Sequence, residues 1–340
     1  MQRSLSTVTS AMRALPVRFG RELVIATAAV LCAVSASAQQ SYPSKPITIV
    51  LGNSPGSGGD LLCRVLANGL TASLKQPVIV ENRVGANSVI ASLAVVNAKA
   101  DGYTLLFGNA SSTVINQAVQ KKARFDSRSD LIAIAQVGAG GVALVATPDF
   151  PANNMKEFIA VAKANPGKYN YASWGIGSQG HLVMEWLERQ NGITLTHVPY
   201  KSISAITQDM QGGMINIGFT DVASAMPFVK QGRLKVIGVT GSLRSPGLPA
   251  APLMSEQGVD FRTDGWYGLF APKGTPAPVV AFLNKEVNRL LALSELRDRL
   301  LQLNIANAPV KSPDEFAKTV NDDLKVWEQI ARSADIRLDD

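Results

Sequence analysis

Along the chain, short runs of β-branched and aliphatic residues alternate with stretches whose apolar positions recur every three or four residues. The first pattern predicts strands and the second predicts helices. The strands expected are Ile47–Leu51, Val78–Val80, Tyr103–Phe107, Ile132–Val137, Val142–Ala146, Tyr169–Ala172, Leu195–Val198, Ile215–Phe219 and Leu234–Val239. Most are unbroken apolar runs, as strands covered on both faces are. Helices are expected near 60–74, 87–99, 155–164, 180–190, 203–211 and 222–230. The alternation is that of an α/β protein. After Gly241 the chain turns proline-rich through Ser245–Pro252 and then mainly helical. Thr275 and Pro276 suit the start of one helix, with Val279, Leu283, Val287 and Leu290 as its apolar stripe. Ser312 to Glu315 forms a capping box for the last, whose stripe is Phe316, Val320, Leu324 and Trp327.

The first 38 residues stand apart from this pattern. Arg3, Arg13, Arg18 and Arg21 precede an apolar run from Leu23 to Ala36, followed by Ala36-Ser37-Ala38. This is the layout of a secretory signal peptide, with an apolar run too short to span a bilayer and small residues at the cleavage site. The exported chain is expected to begin at Gln39, to lie in the periplasm and to insert in no membrane. Leu31 before Cys32 is unsuited to lipoprotein processing.

The 302 residues that remain of 340 suffice for two domains without metals or disulfides. A content of 46% apolar and 17% charged residues excludes disordered and disulfide-framework classes. Loss of four arginines and one glutamate with the signal lowers the formal charge from +7 to +4. No run of basic residues interleaved with aromatics points to nucleic acid. Cys63, the one cysteine left, falls among Leu62, Val65 and Leu66 and reads as a buried thiol.

Candidate chemistry sits in two glycine loops, each between a strand and a helix. The first, Gly52-Asn53-Ser54-Pro55-Gly56-Ser57-Gly58-Gly59-Asp60, could hold an anion on the free N–H groups of the helix start. It also spells Gly52-x-Ser54-x-Gly56, a nucleophile-elbow pattern, which makes a secreted serine hydrolase the alternative reading. Pro55 has no N–H for an oxyanion hole, and the two histidines, His181 and His197, lie mid-chain. Ser57-Gly58-Gly59 stands where a phosphate loop needs glycine, lysine and a hydroxyl residue. In the second loop, Gly175, Gly177 and Gly180 match the dinucleotide fingerprint, but no acidic residue ends the following strand, where His197-Val198-Pro199-Tyr200-Lys201 stands. No metal-ligand spacing and no carboxylate dyad stands out, and no cofactor is expected.

Several blocks in order resemble the solute-binding proteins of tripartite tricarboxylate transporters, the Bug family. They are Tyr42-Pro43-Ser44-Lys45-Pro46, Pro77 to Arg83 with Gly85, Asp101 to Leu106, Asn170 to Ser173, His197 to Lys201, Gly212-Gly213, Trp266 to Leu269, and Ala271 to Pro276. The resemblance implies a two-lobed periplasmic binding protein of type II-like form, each lobe a mostly parallel sheet flanked by helices, with a hinge between them. It implies lobe 1 from 39–139 and 240–340, lobe 2 from 140–239, and an organic carboxylate in the cleft. The site residues expected are Ser54, Gly56, Ser57, Gly58, Gly59 and Asp60 in the first loop and Asn109 beyond the third strand. They continue with Ser173, Trp174, Gly175, Ser178 and Gln179 in the second loop, and Thr220-Asp221. Trp174 and Ile176 replace smaller or polar residues, and Thr220-Asp221 replaces a frequent Asp-Asn pair. The partners implied are membrane subunits of the transporter, with the receptor itself a monomer. An orphan sensor receptor would use the same fold.

Overall fold

The computed structural model describes residues 42–120, 122–242, 244–261, 263–303, 305–307, 310–333 and 336. The proposed signal segment and its cleavage site lie outside them. The elements below all lie within the compact unit Lys45–Asp340. Among the described residues no helix is long and apolar enough to cross a membrane.

Two sheets organise the chain. The first contains β1 (Ile47–Leu51), β2 (Val78–Asn82), β3 (Thr104–Asn109), β4 (Leu131–Gly140), β10 (Gly265–Pro272) and the short β11 (Ala306–Asn307). The second contains β5 (Val142–Ala146), β6 (Asn170–Ser173), β7 (Thr196–Pro199), β8 (Ile217–Asp221) and β9 (Lys235–Val239). Their orders are β11-β4-β10-β3-β1-β2 and β7-β6-β8-β5-β9. The two-lobed α/β architecture therefore stands, but both sheets are mixed where mostly parallel ones were expected. In the first, β1 runs parallel to β2 and β3, whereas β10 is antiparallel to β3 and β4. In the second, β6 runs parallel to β7 and β8, whereas β5 is antiparallel to β8 and β9. The antiparallel strands are the ones that carry the chain between the sheets.

All nine expected strands are present. Two more, β10 and the two-residue β11, were not anticipated. The register of β10 against β4 shifts between Tyr267 and Gly268 and again between Leu269 and Phe270, which breaks the alternation a strand would display in sequence.

The helices flank the sheets: α1 (Gly58–Leu74), α2 (Val89–Val96), α3 (Asn116–Val119), α4 (Met155–Ala164), α5 (Gln179–Asn191), α6 (Ile203–Gln211), α7 (Val222–Lys230), α8 (Ala277–Leu291), α9 (Ser294–Gln302) and α10 (Pro313–Ser333). The α10 stripe is buried as expected, and the Ser312–Glu315 box closes in both directions, at 2.8 and 3.2 Å. At α8 the expected cap is corrected. The Thr275 hydroxyl donates to the Pro272 carbonyl, Pro276 takes the cap position without a side-chain bond, and Val280 rather than Val279 joins the buried stripe. Cys63 is fully buried, and burial pushes its thiol pKa up, as expected of a packing residue.

Where the sheets meet, Gly141 joins β4 to β5, and Thr240 leads out of β9. The Val142 N–H donates to Thr240 Oγ1 at 2.9 Å, and the Thr240 N–H to the Val142 carbonyl at 3.0 Å. The two crossing segments are thus bonded side by side.

Candidate functional site

A cavity of about 660 Å³ opens beside this crossing, bordered by the first glycine loop, the second glycine loop, the start of α7 and the bulged part of β10. Each loop ends at a capped helix. Ser57 accepts from the Asp60 N–H at the start of α1, and Ser178 from the His181 N–H at the start of α5. Asp221 caps α7, accepting from the Ser224 N–H and hydroxyl, both at 2.8 Å. Three helix starts, with their positive dipole ends, therefore border one cavity.

The first loop is wired from inside. The Asp60 carboxylate accepts from the Gly56 N–H at 2.9 Å, Asn82 Nδ2 at 2.8 Å and Arg64 Nε at 3.0 Å. Burial raises its pKa, but these donors outweigh burial and hold the carboxyl below its ordinary range. Gly59 leaves no room for a side chain, since a Cβ would lie 2.6 Å from Asn53 Nδ2 and 3.0 Å from the Tyr267 ring. Among the described residues, the N–H groups of Gly58 and Gly59 have no hydrogen-bond partner.

The second loop has a buried polar network beneath it. Ser178 Oγ donates to Ser173 Oγ at 3.0 Å, Ser173 Oγ lies 2.7 Å from His197 Nε2, and His197 stacks on His181 with ring centroids 4.1 Å apart. His181 Nδ1 accepts from the Gly177 N–H at 3.1 Å, and its Nε2 lies 3.6 Å from Glu185. Burial and the adjacent His181 lower the His197 pKa to about 4. Both histidines are thereby engaged under the second loop and neither serves Ser54.

Of the expected site residues, Ser54, Ser57, Gly58, Asn109, Trp174, Gly175, Gln179 and Asp221 border the cavity. Gly56, Gly59, Asp60, Ser173, Ser178 and Thr220 do not, which corrects their expected place at the surface of the site. The hydroxyls of Ser173 and Ser178 and the carboxylate of Asp60 are already spent on the loops, and Thr220 Oγ1 is fully buried in β8. Trp174 packs against the hydrophobic core and also borders the cavity. Sequence reasoning missed Ser111, whose hydroxyl accepts from the Gln179 N–H at 3.3 Å, and the cations Arg124 and Lys201 at the cavity wall. Only Lys201 had a signal, as the last residue of a quoted block.

Two further features of the wall concern charge and polarity. Gln179 is 4% exposed, and its Nε2 has no hydrogen-bond partner among the described residues. Asp221 stands across from α1, so close that a Cβ on Gly58 would lie 2.7 Å from its Oδ1. Burial raises the Asp221 pKa against the bonds from Ser224, and burial with the Asp221 charge raises that of Tyr267.

The model of the tripartite tricarboxylate transporter family receptor matches residues 62–336. The chain belongs to that family. It is 30% identical to Protein BugT of Bordetella pertussis over 318 residues, covering 93% of this chain and 96% of BugT. Among solved structures, an R. palustris protein with adipate superposes with a TM-score of 0.82 at 26% identity, over 87% of this chain and 99% of that one. MatC from Rhodopseudomonas palustris with bound malate gives 0.79 at 28% identity, over 85% and 99%. The family consists of periplasmic solute-binding receptors, and these two relatives hold carboxylates.

Proposed function

We propose that this chain is an exported receptor that captures a small organic carboxylate in the cavity between its sheets and delivers it, as a monomer, to the membrane subunits of a tripartite tricarboxylate-type transporter. Its lobes are taken as 39–139 with 240–340, and 140–239. The observation that carries the reading is the unfilled donor set at the cavity: the Gly58 N–H at the start of α1 and the Gln179 amide. Such donors favour an anion and need no buried cation. Binding without turnover is expected, because the Ser54 side chain has no histidine beside it and Pro55 cannot supply an oxyanion donor. Trp174, Ile176, Val84 and Ile203 give the cavity an apolar wall suited to a hydrocarbon or aromatic body.

The test is to denature freshly purified protein, identify released small molecules by mass spectrometry, and titrate mono-, di- and tricarboxylates by calorimetry. An organic carboxylate released or bound supports the reading. No carboxylate in either experiment, or ester hydrolysis abolished by Ser54→Ala, overturns it.

A further inference from the structure

Behind the second glycine loop, α5 carries a group of titratable side chains that contact with a ligand does not account for. His181 stands in the first turn of α5, is 8% exposed and does not border the cavity. Its Nδ1 accepts from the Gly177 N–H at 3.1 Å, and an imidazole nitrogen that accepts carries no proton. The ring proton is thereby assigned to Nε2, which lies 3.6 Å from Glu185 Oε1. Hydrogen bonding with His181, outweighing burial, holds the Glu185 carboxyl below its ordinary range, so the group facing Nε2 is ionised. One tautomer of His181 thus serves Glu185 and the loop together. Gly177, with φ at +74°, stands in the loop between Ile176 and Gln179, which both border the cavity.

The other titratable groups around this ring come from three elements. His197 of β7 stacks on it with centroids 4.1 Å apart, Tyr171 of β6 stacks on His197 at 4.9 Å, and α5 adds Glu188 and Arg189 beside Glu185. Burial and His181 hold the His197 pKa at about 4, so that ring stays neutral between about pH 5 and pH 8, where imidazoles commonly change charge. Glu188, raised by burial to about 7, does change charge there, but its Oε1 is bonded to the Leu195 N–H rather than to the loop. A proton on His181 Nδ1 would consume the lone pair that Gly177 uses and set one N–H against another. The positive end of the α5 dipole lies at the same place and also favours the neutral ring. Resting on the receptor reading above, we propose that His181 is the positioning residue of the second glycine loop, and that protonation at Nδ1 frees Gly177 and weakens the hold of the loop on a carboxylate. The neutral ring is the latched form, so the hold is complete at higher pH and is lost as pH falls.

NMR of the full chain tests this without any ligand. Histidine nitrogen shifts are expected to place the His181 proton on Nε2 at neutral pH. The protection factor of the Gly177 amide against hydrogen exchange should fall by roughly ten-fold from about pH 8 to about pH 5.5, following the His181 titration. Adipate and malate, titrated by calorimetry over the same range, should bind more weakly at the lower pH. His181→Leu should lose the Gly177 protection at every pH, whereas His181→Asn, whose Oδ1 can accept in place of Nδ1 but takes up no proton, should restore it without the pH dependence. Glu188→Gln removes the other group that titrates in this range and should leave the pH dependence in place. Where a variant does not fold, the parent's own titration decides. A proton on Nδ1 at neutral pH, Gly177 protection that ignores the His181 titration, an affinity that is constant or rises as pH falls, or a dependence abolished by Glu188→Gln overturns the proposal and leaves the receptor reading intact. If neither acid binds the parent at any pH, the Gly177 readings decide this proposal, and carboxylate release on denaturation decides the receptor reading.

Discussion

Gly141 offers a sharp test of how the two sheets are joined, because its neighbour Gly140 serves as an internal control. A Cβ on Gly141 would lie 1.8 Å from the Thr240 carbonyl oxygen, 2.7 Å from its carbon and 2.8 Å from Val239 Cγ1. Ordinary contact would require one segment to retreat by roughly 1.5 Å, and no flexible side-chain tip is there to absorb it. The retreat would strain the two bonds between Val142 and Thr240. Losing both costs about 1–3 kcal/mol at ~0.5–1.5 each, and overpacking adds about 1–3 kcal/mol. Gly141→Ala should therefore destabilise by roughly 2–6 kcal/mol. At Gly140 a Cβ meets nothing within 4 Å, so Gly140→Ala should stay within about 0.5 kcal/mol of the parent. Urea unfolding, with slope and midpoint both measured, separates the two. A Gly141→Ala midpoint matching the parent's, or equal losses at both positions, would refute the reasoning from the crossing geometry.

Three further outcomes are expected. Burial raises the Glu188 pKa to about 7, so its protonated form favours the fold, a contribution complete below the ordinary carboxyl range and lost as pH rises through about 7. Glu188→Gln keeps an acceptor for the Leu195 N–H and should gain stability relative to the parent between pH 5 and pH 8; a difference independent of pH contradicts the assignment. Asp323 accepts from Trp266 Nε1 at 2.5 Å, and Asp323→Ala should lower stability by about 1–3 kcal/mol through the unmet indole N–H, with unchanged unfolding counting against it. Trp174→Ser should change the ranking of aromatic, aliphatic and tricarboxylate ligands in calorimetry, whereas an equal loss for every ligand would reduce Trp174 to packing.

Much of the scaffold was legible in the sequence because hydrophobic period and turn chemistry act locally. The nine expected strands and the starts of α1 and α5 follow from them. Strand direction does not, since the paths taken by β4, β5, β9 and β10 between the sheets depend on contacts far apart in the chain. Ser111–Ile115 escaped for another reason. It forms a wholly buried π-helical turn, in which Ser111, Ser112 and Thr113 look like loop residues until Asn109 and the Gln179 N–H supply their partners. At the site, sequence identified the loops and not their layering. Serines at helix starts look alike whether they border the cavity, as Ser57 does, or lie behind it bracing a loop, as Ser173 and Ser178 do. The decisive difference is His197, brought beneath Ser173 by the pairing of β6 with β7.

The inward wiring of both loops has a thermodynamic consequence. Asp60 fixes the first through Gly56, Asn82 and Arg64, and the Ser178–Ser173–His197 chain fixes the second, each through the chain's own groups. The conformational entropy of shaping these surfaces is therefore spent during folding and is not charged again to binding. What remains to be ordered on capture is the ligand itself. Affinity differences among related compounds should then appear in how fast each leaves more than in how fast it arrives.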